Sequence, residues 1–150
     1  MRVVVQRVNF AEVIISEKTY SSIGKGLLVL CGFEEGDTNE ELHWIAGKIS
    51  RLRVFNDSEG VMNLSVQDVG GEIMSISQFT LHASTRKGNR PSYIRAMEPS
   101  SASAMYDLFN QYLAKESNRP LKTGIFGAYM KIKFENDGPV TIIIDSRLKE

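Results

Sequence analysis

A nearly unbroken apolar run over residues 26–33 limits what this chain can fold into more than any other segment. A run of this length without polar alternation is typical of a strand that is buried on both faces. Such a strand must lie inside a sheet that is covered on both sides. The chain has 150 residues, which is long enough to bury roughly 70% of its unfolded surface, and we expect a single domain over 1–150.

The strands and helices around this run are predicted from apolar periodicity. Val- and Ile-rich segments predict short strands over 2–8 and 12–16, and a further strand over 72–81. Apolar residues at helical spacing predict helices over 39–51 and 100–116. Thr38 with Glu41 forms a capping-box signature for the first helix, and Pro99 lies near the start of the second.

The last forty residues predict a hairpin. Apolar and basic residues alternate from Met130 to Phe134, a turn is expected at 135–138, and the run from Val140 to Ile144 would close the sheet. The predicted fold class is therefore α+β, with a curved, barrel-like, mostly antiparallel sheet and two main helices.

Composition excludes several kinds of site. Cys31 is the only cysteine, so the chain has no internal disulfide and no cysteine-based metal cluster. Because Cys31 lies inside the apolar run, we expect a small buried core residue and not a reactive thiol. The two polar segments discussed below contain no metal-ligand cluster, and we expect neither a cofactor nor a bound metal.

The N-terminal residues lack the sustained apolar region and cleavage site of a signal peptide. No apolar run approaches the ~20 residues that a membrane-spanning helix needs. We therefore expect a cytoplasmic protein without a membrane partner.

Charge is balanced overall but not locally. The chain has 18 basic and 18 acidic residues, so any nucleic-acid partner must be bound by a local patch. No acidic residue occurs from Ile73 to Met97. Residues 82–98 show no clear period and predict a long exposed loop, which carries or adjoins Tyr93 and four basic residues, Arg86, Lys87, Arg90 and Arg95. This asymmetry suggests a phosphate-bearing partner, with a solvated loop as the alternative.

The first polar segment, Ser77-Gln78-Phe79-Thr80, lies at the end of an apolar stretch. On a strand, Thr80 and His82 would share one face, where a hydroxyl nucleophile beside a general base is conceivable. Ordinary strand residues with satisfied hydrogen bonds are the alternative.

The second polar segment is Asn136-Asp137-Gly138-Pro139-Val140-Thr141. Asp-Gly between two strands is a hairpin turn signal, and a proline stops a ladder. The functional alternative requires a cis bond before Pro139, which would let two neighbouring backbone carbonyls form a rigid acceptor pair.

These two segments resemble the Ser-Gln-x-Thr and Asn-x-Gly-Pro-x-Thr motifs of the D-aminoacyl-tRNA deacylase family. The resemblance extends over nearly the whole chain and includes residues 1–8, 26–30, 62–71, 85–88 and 124–128. The sequence departs from the family pattern at His82, where relatives often carry Tyr, and at Tyr129, where an acidic residue is common.

The resemblance implies hydrolysis of the ester between a D-amino acid, or glycine, and the terminal ribose of tRNA. It also implies a homodimer whose two active sites lie at the subunit interface. Its implied catalytic residues are Ser77, Gln78, Phe79 and Thr80, with backbone donors at Gln78 and Phe79. The implied substrate-binding residues are Gly138, Pro139, Asn136, Thr141 and Phe126, and the basic residues Arg86, Lys87 and Arg90 would bind tRNA.

The resemblance further implies that the Gly138 and Pro139 carbonyls act as a chiral filter and that the 2′-hydroxyl of the substrate helps to activate water. Two alternatives remain at this point. One is an esterase with a Thr80 nucleophile, and the other is a non-catalytic RNA-binding module that uses the basic loop alone.

Overall fold

A long strand, β1 (Arg2–Ile15), organises the main sheet of this protein. The computed structural model describes residues 1–149. One edge of β1 pairs along most of its length with the antiparallel strand β8 (Lys131–Asp145). Its other edge pairs with β3 (Gly26–Gly32) over the first half and with β2 (Lys18–Ile23) over the second half.

The sheet continues from β3 through two parallel ladders and is mixed. Strand β6 (Glu72–Ser77) lies beside β3, and β7 (Leu121–Thr123) lies beside β6. The Ser21 hydroxyl on β2 donates to the Thr123 carbonyl on β7 over 2.8 Å, which brings the two ends of the sheet together. The sheet is therefore nearly closed, as the barrel-like prediction required, although pairing is less antiparallel than expected. A separate small hairpin consists of β4 (Phe55–Asn56) and β5 (Met62–Leu64).

Both predicted helices are present. Helix α1 (Asn39–Arg51) begins at the predicted capping box, in which Thr38 and Glu41 exchange backbone and side-chain hydrogen bonds. Helix α2 (Pro99–Ser117) has Pro99 in its first turn, and the Glu98 carboxylate caps its N-terminus. The helices pack against each other on one face of the sheet, where Phe33 and Phe109 meet edge to face with ring centroids 6.4 Å apart.

Strand β3 confirms the prediction from the apolar run. Leu27, Val29 and Cys31 belong to the core beneath the helices, and Leu28 belongs to a second core on the other face of the sheet with Met74 and Ile76. Cys31 is buried, and this burial raises the pKa of its thiol to about 12. It is therefore a core residue, as expected.

Three sequence predictions need correction. The strands predicted at 2–8 and 12–16 are one strand, because pairing with β8 continues through irregularities near Val8. The strand predicted over 72–81 ends at Ser77 and is followed by a 3-10 helix, Phe79–His82. The C-terminal hairpin is wrong, because the chain on both sides of 137–140 pairs with the same partner strand, β1. In the described part of the chain, no helix is long and apolar enough to cross a membrane.

Candidate functional site

The first polar segment lies where β6 leaves the sheet. The Gln78 amide donates to the Cys31 carbonyl over 2.7 Å, which is the last backbone bond between this segment and β3. The 3-10 helix then turns the chain away from the sheet. The Gln78 side-chain amide donates to the Thr80 hydroxyl oxygen over 2.6 Å and fixes the turn from within.

A cavity of about 620 Å³ opens beside this turn. Its wall includes Ser77, Gln78 and Phe79 from the first polar segment and Phe126 from the loop after β7. Four of the predicted site residues are thus brought together by distant parts of the chain. The remaining wall comes from the end of β3, Ile76 of β6, the loop before α2, the start of α2, residues 127–130 and Ile132, and it is mostly apolar. The volume is in the range of small-molecule sites.

The predicted pair of Thr80 and His82 does not form. Both residues lie in the 3-10 helix, so the strand periodicity that would place them on one face is absent. His82 is completely buried, and neither of its ring nitrogens has a hydrogen-bond partner within residues 1–149. Its nearest charged neighbour is Glu34, with 3.6 Å between Nδ1 and Oε1. His82 therefore belongs to the interior and not to a nucleophile–base pair.

The second polar segment forms a wide bulge in β8. Asn136 pairs with Val8 and Thr141 pairs with Gln6, so residues 137–140 all lie opposite Arg7. The Asn136 side chain closes the bulge, because its amide donates to the Val140 carbonyl over 3.2 Å and its oxygen accepts from the Val140 amide over 3.1 Å. The Gln6 amide donates to the Thr141 hydroxyl at 3.3 Å, and the bond before Pro139 is cis.

Arg7 supports this bulge from the interior and was not among the predicted site residues. Its Nε donates to the Asp137 carbonyl over 3.1 Å, and its Nη1 donates to the Val54 carbonyl over 2.6 Å. The sequence contains a signal for it, because Val3 and Val5 are buried alternate residues of β1 and Arg7 continues their series. A charged residue at a core-facing position of a strand needs buried partners.

Gly138 and Pro139 are exposed at the tip of the bulge, and they do not line the cavity of their own chain. Asn136 and Thr141 also lie outside that cavity. The structure of one chain therefore separates the two polar segments that the resemblance assigns to one active site.

The exposed loop predicted over 82–98 is irregular and largely exposed from 83 to 97, whereas His82 is buried in the 3-10 helix and Glu98 caps α2. Its far end is fastened to the end of β3, where the Met97 amide donates to the Phe33 carbonyl over 3.0 Å and Arg95 pairs with the buried Glu34 over 3.1 Å. Arg86, Lys87 and Arg90 are exposed and form no ion pair within residues 1–149. They give a cationic surface to the loop that also carries Tyr93, a residue of the cavity wall.

The fold and the cavity can be compared with known proteins. A family model described as D-Tyr-tRNA(Tyr) deacylase matches residues 4–145. A protein from Parabacteroides distasonis and one from Flavobacterium johnsoniae, both named D-aminoacyl-tRNA deacylase, are 57% and 54% identical to the chain over the full length of each. These matches define a class of hydrolases. The chain belongs to the D-aminoacyl-tRNA deacylase family, so the predicted family and enzyme class are confirmed.

Two solved structures resemble this one. The structure titled c-Myc DNA Unwinding Element Binding Protein has a TM-score of 0.91 and 42% identity, and the match covers 97% of this chain and 98% of that one. A structure described as a probable eukaryotic D-amino acid tRNA deacylase has a TM-score of 0.81 over 95% of this chain and 97% of that one. At 18% identity, the second likeness supports the fold alone.

Proposed function

We propose that this protein hydrolyses the ester that links a D-amino acid to the 3′-terminal ribose of tRNA, as a chiral proofreading step in the cytoplasm. The observation that carries the proposal is the cavity lined by Ser77, Gln78, Phe79 and Phe126 in a chain of this family. Glycyl-tRNA is an expected substrate as well, because glycine has no side chain for a chiral filter to reject.

The scarcity of acid–base groups in the cavity favours a substrate-assisted reaction. Within residues 1–149, the one carboxylate in the cavity wall is Glu98, which accepts hydrogen bonds from the Ser100 and Ser101 amides at the start of α2, and His82 is buried in the interior. We infer that the 2′-hydroxyl of the terminal ribose helps to activate the attacking water. The protein would then contribute position and fixed hydrogen-bond donors for the developing oxyanion.

The two predicted backbone donors differ in what they can contribute. The Gln78 amide is already bonded to the Cys31 carbonyl, so it is not free to bind an oxyanion. Phe79 begins the 3-10 helix, and an amide at the start of a helix has no acceptor within that helix. We therefore assign the oxyanion contact to the Phe79 amide and a positioning role, through Thr80, to the Gln78 side chain.

The chiral filter is proposed to act across a homodimer. Gly138 and Pro139 are exposed and lie outside the cavity of their own chain, which supports a role in the site of a second protomer. There, their carbonyls would accept the α-amino group and leave no room for an L side chain. Discrimination through such a repulsive element is a general device of specific sites. Asn136 and Thr141 would hold the bulge that presents these carbonyls.

Parallel incubation with D-tyrosyl-tRNA and L-tyrosyl-tRNA tests this function. Release of tyrosine from the D-ester alone supports the proposal, and a terminal 2′-deoxyribose should slow that release strongly. Binding of both tRNAs without release would instead support a non-catalytic RNA-binding module. Equal release from both esters would contradict the chiral filter.

A further inference from the structure

Three aromatic side chains surround the mouth of the cavity and remain accessible. Phe79, Tyr93 and Tyr129 all line the cavity, yet they are 56%, 41% and 85% exposed. We refer to these three residues as the aromatic rim. Scattered exposed apolar residues are normal, but a group of exposed large side chains around one cavity marks a binding surface.

The geometry of the rim leaves ring surface available. Phe79 and Tyr93 meet edge to face, with ring centroids 5.0 Å apart and an interplanar angle of 71°. In an edge-to-face pair one ring presents its edge to the face of the other, so further faces remain open for stacking. Among residues 1–149, neither Tyr93 nor Tyr129 makes a hydrogen bond through its hydroxyl that would explain its position at the surface.

The charge of the loop that carries Tyr93 indicates what the rim binds. Tyr93 belongs to the same exposed loop as Arg86, Lys87 and Arg90, and no acidic residue occurs from 73 to 97. Aromatic side chains beside a cationic track are the combination that binds single-stranded nucleic acid, because bases stack on the rings while cations meet the phosphates. An apolar peptide would gain nothing from these cations, and paired bases in a duplex have no free faces to offer.

We propose that the aromatic rim binds the unpaired nucleobases at the 3′ end of the RNA by stacking, and so holds the ester at the cavity. This inference rests on the proposed function and specifies how its substrate is held. Tyr93 approaches from the basic loop, whereas Tyr129 lies in the segment between Phe126 and β8. Because every base has a π-face, the rim accepts any base sequence at the RNA end.

The test compares Tyr93→Leu and Tyr129→Leu with the matched variants Tyr93→Phe and Tyr129→Phe, which keep the ring. With D-tyrosyl-tRNA, each Leu variant should raise KM about 5- to 150-fold, the range expected for loss of one stacked base, with kcat nearly unchanged. Each Phe variant should stay close to the unmodified protein. With the D-tyrosyl ester of methyl riboside, which has no base, Leu and Phe variants should react alike.

The salt dependence of tRNA binding distinguishes base stacking on the rim from phosphate contacts of the basic residues. The Kd of uncharged tRNA should rise in the Leu variants, while the slope of log K against log salt stays unchanged, because no counterion is released by stacking. The double variant Arg86→Ala/Lys87→Ala should weaken binding and also flatten the slope. The two effects are therefore distinguishable on one set of binding curves.

Three outcomes would overturn the inference: unchanged tRNA affinity in both Leu variants, equal losses in the Leu and Phe variants, or an equal loss on the base-free ester. Equal losses in the Leu and Phe variants would identify a role of the hydroxyl group, and an equal loss on the base-free ester would identify a structural role. The Kd of uncharged tRNA tests whether the aromatic rim stacks on bases even if the unmodified protein hydrolyses neither D-tyrosyl-tRNA nor the D-tyrosyl ester of methyl riboside. In that case the proposed function fails while stacking is still measured.

Discussion

The guanidinium of Arg7 joins the centre of β1 to Asp137 at the start of the bulge, with Nε 3.0 Å from the carboxylate Oδ2 and 3.1 Å from the backbone carbonyl. Arg7 is only 7% exposed, and its Nη1 also bonds the Val54 carbonyl just before β4. One nearly buried cation thus connects three segments of the chain. Because Gly138 follows Asp137 directly, the position of the proposed chiral filter depends on this contact.

Replacement of Arg7 by Lys should destabilise the protein and impair the site, although charge is conserved. A lysine ammonium cannot reproduce the planar fork that bonds Asp137 and Val54 together. Leaving one of these buried acceptors unsatisfied should lower the free energy of unfolding by about 1–3 kcal/mol. Urea unfolding and kcat/KM with D-tyrosyl-tRNA measure the two effects.

Arg51→Lys is the matched control, because Arg51 forms an exposed ion pair with Glu116. It should change the free energy of unfolding by no more than about 0.5 kcal/mol. An Arg7→Lys protein that unfolds and hydrolyses like this control would disprove the anchoring role.

Gly138→Ala should abolish most D-ester hydrolysis. The φ angle of Gly138 is +132°, and an added Cβ would lie 2.8 Å from Val140 Cγ2 and 3.1 Å from Arg7 Nη2. The bulge would have to shift away from its anchor. Gly60→Ala provides the control, since Gly60 has a φ of +80° but no atom within 4 Å of an added Cβ.

Both glycine variants should lose about 1–3 kcal/mol of stability through backbone strain. Only Gly138→Ala should lose activity when D-tyrosyl-tRNA turnover is measured at a temperature where both are folded. Equal activity in the two variants would remove Gly138 from the site.

The sequence predicted the elements whose local pattern and tertiary role agree. The apolar run of β3 and the capping box at Thr38 each correspond to one structure, and both were predicted correctly. At Gln78, by contrast, a strand-like sequence becomes a 3-10 helix, because bonds to Cys31 and Thr80 replace the ladder. Such contacts connect residues far apart in the chain, or depend on side-chain geometry, and periodicity does not contain them.

The bulge in β8 is a second feature that sequence periodicity does not predict. Asp137-Gly138 is a sequence signal for a hairpin turn, but the chain does not reverse its direction there. Asn136 forms hydrogen bonds with Val140, and β8 pairs with β1 again after the bulge. The motif residues of the candidate site are predicted from the resemblance alone. Arg7 was missed because its importance comes from partners near positions 54 and 137.

A variant impaired in the cavity wall and a variant impaired in the bulge should complement each other if the site is shared between protomers. Gln78→Ala removes a cavity residue, and Gly138→Ala distorts the bulge. In a heterodimer of the two, one site combines an intact Gln78 with an intact Gly138 of the partner subunit. Random exchange should recover about a quarter of normal activity, since about half the twofold dimers are mixed and each has one intact site. Proven exchange without recovery would argue against a shared site.

The stability of the protein should depend on pH through Glu98, which caps the N-terminus of α2. Its carboxylate accepts from the Ser100 hydroxyl and from the amides of Ser100 and Ser101, and the Ser100 side-chain bond contributes most to lowering the pKa below its ordinary value of 4.5. Because the folded-state pKa is depressed, this stabilisation is present above 4.5 and is lost as pH falls through the lowered pKa.

Glu98→Gln should therefore lower Tm at neutral pH, and the difference from the unmodified protein should shrink in acid. Thermal unfolding across the pH range measures this. Glu59→Gln, which removes an exposed carboxylate in a turn, is the matched control and should leave Tm at neutral pH close to that of the unmodified protein. A constant difference at all pH values would mean that the carboxylate charge contributes nothing to the cap.

Thr80→Val should leave substantial D-specific hydrolysis if, as we propose, the Thr80 hydroxyl only binds the Gln78 side chain and does not attack the ester. Its hydroxyl accepts from the Gln78 side-chain amide over 2.6 Å, and the ring nitrogens of the buried His82 make no hydrogen bond to it. Losing that hydrogen bond should cost about 0.5–1.5 kcal/mol, or roughly 2- to 13-fold in kcat/KM. Thr85→Val, on the exposed loop, should be neutral, and a terminal 2′-deoxyribose on the tRNA should be far more damaging than Thr80→Val. Complete inactivation by Thr80→Val, with an aminoacyl ester trapped on Thr80 of the unmodified protein, would instead establish Thr80 as the nucleophile.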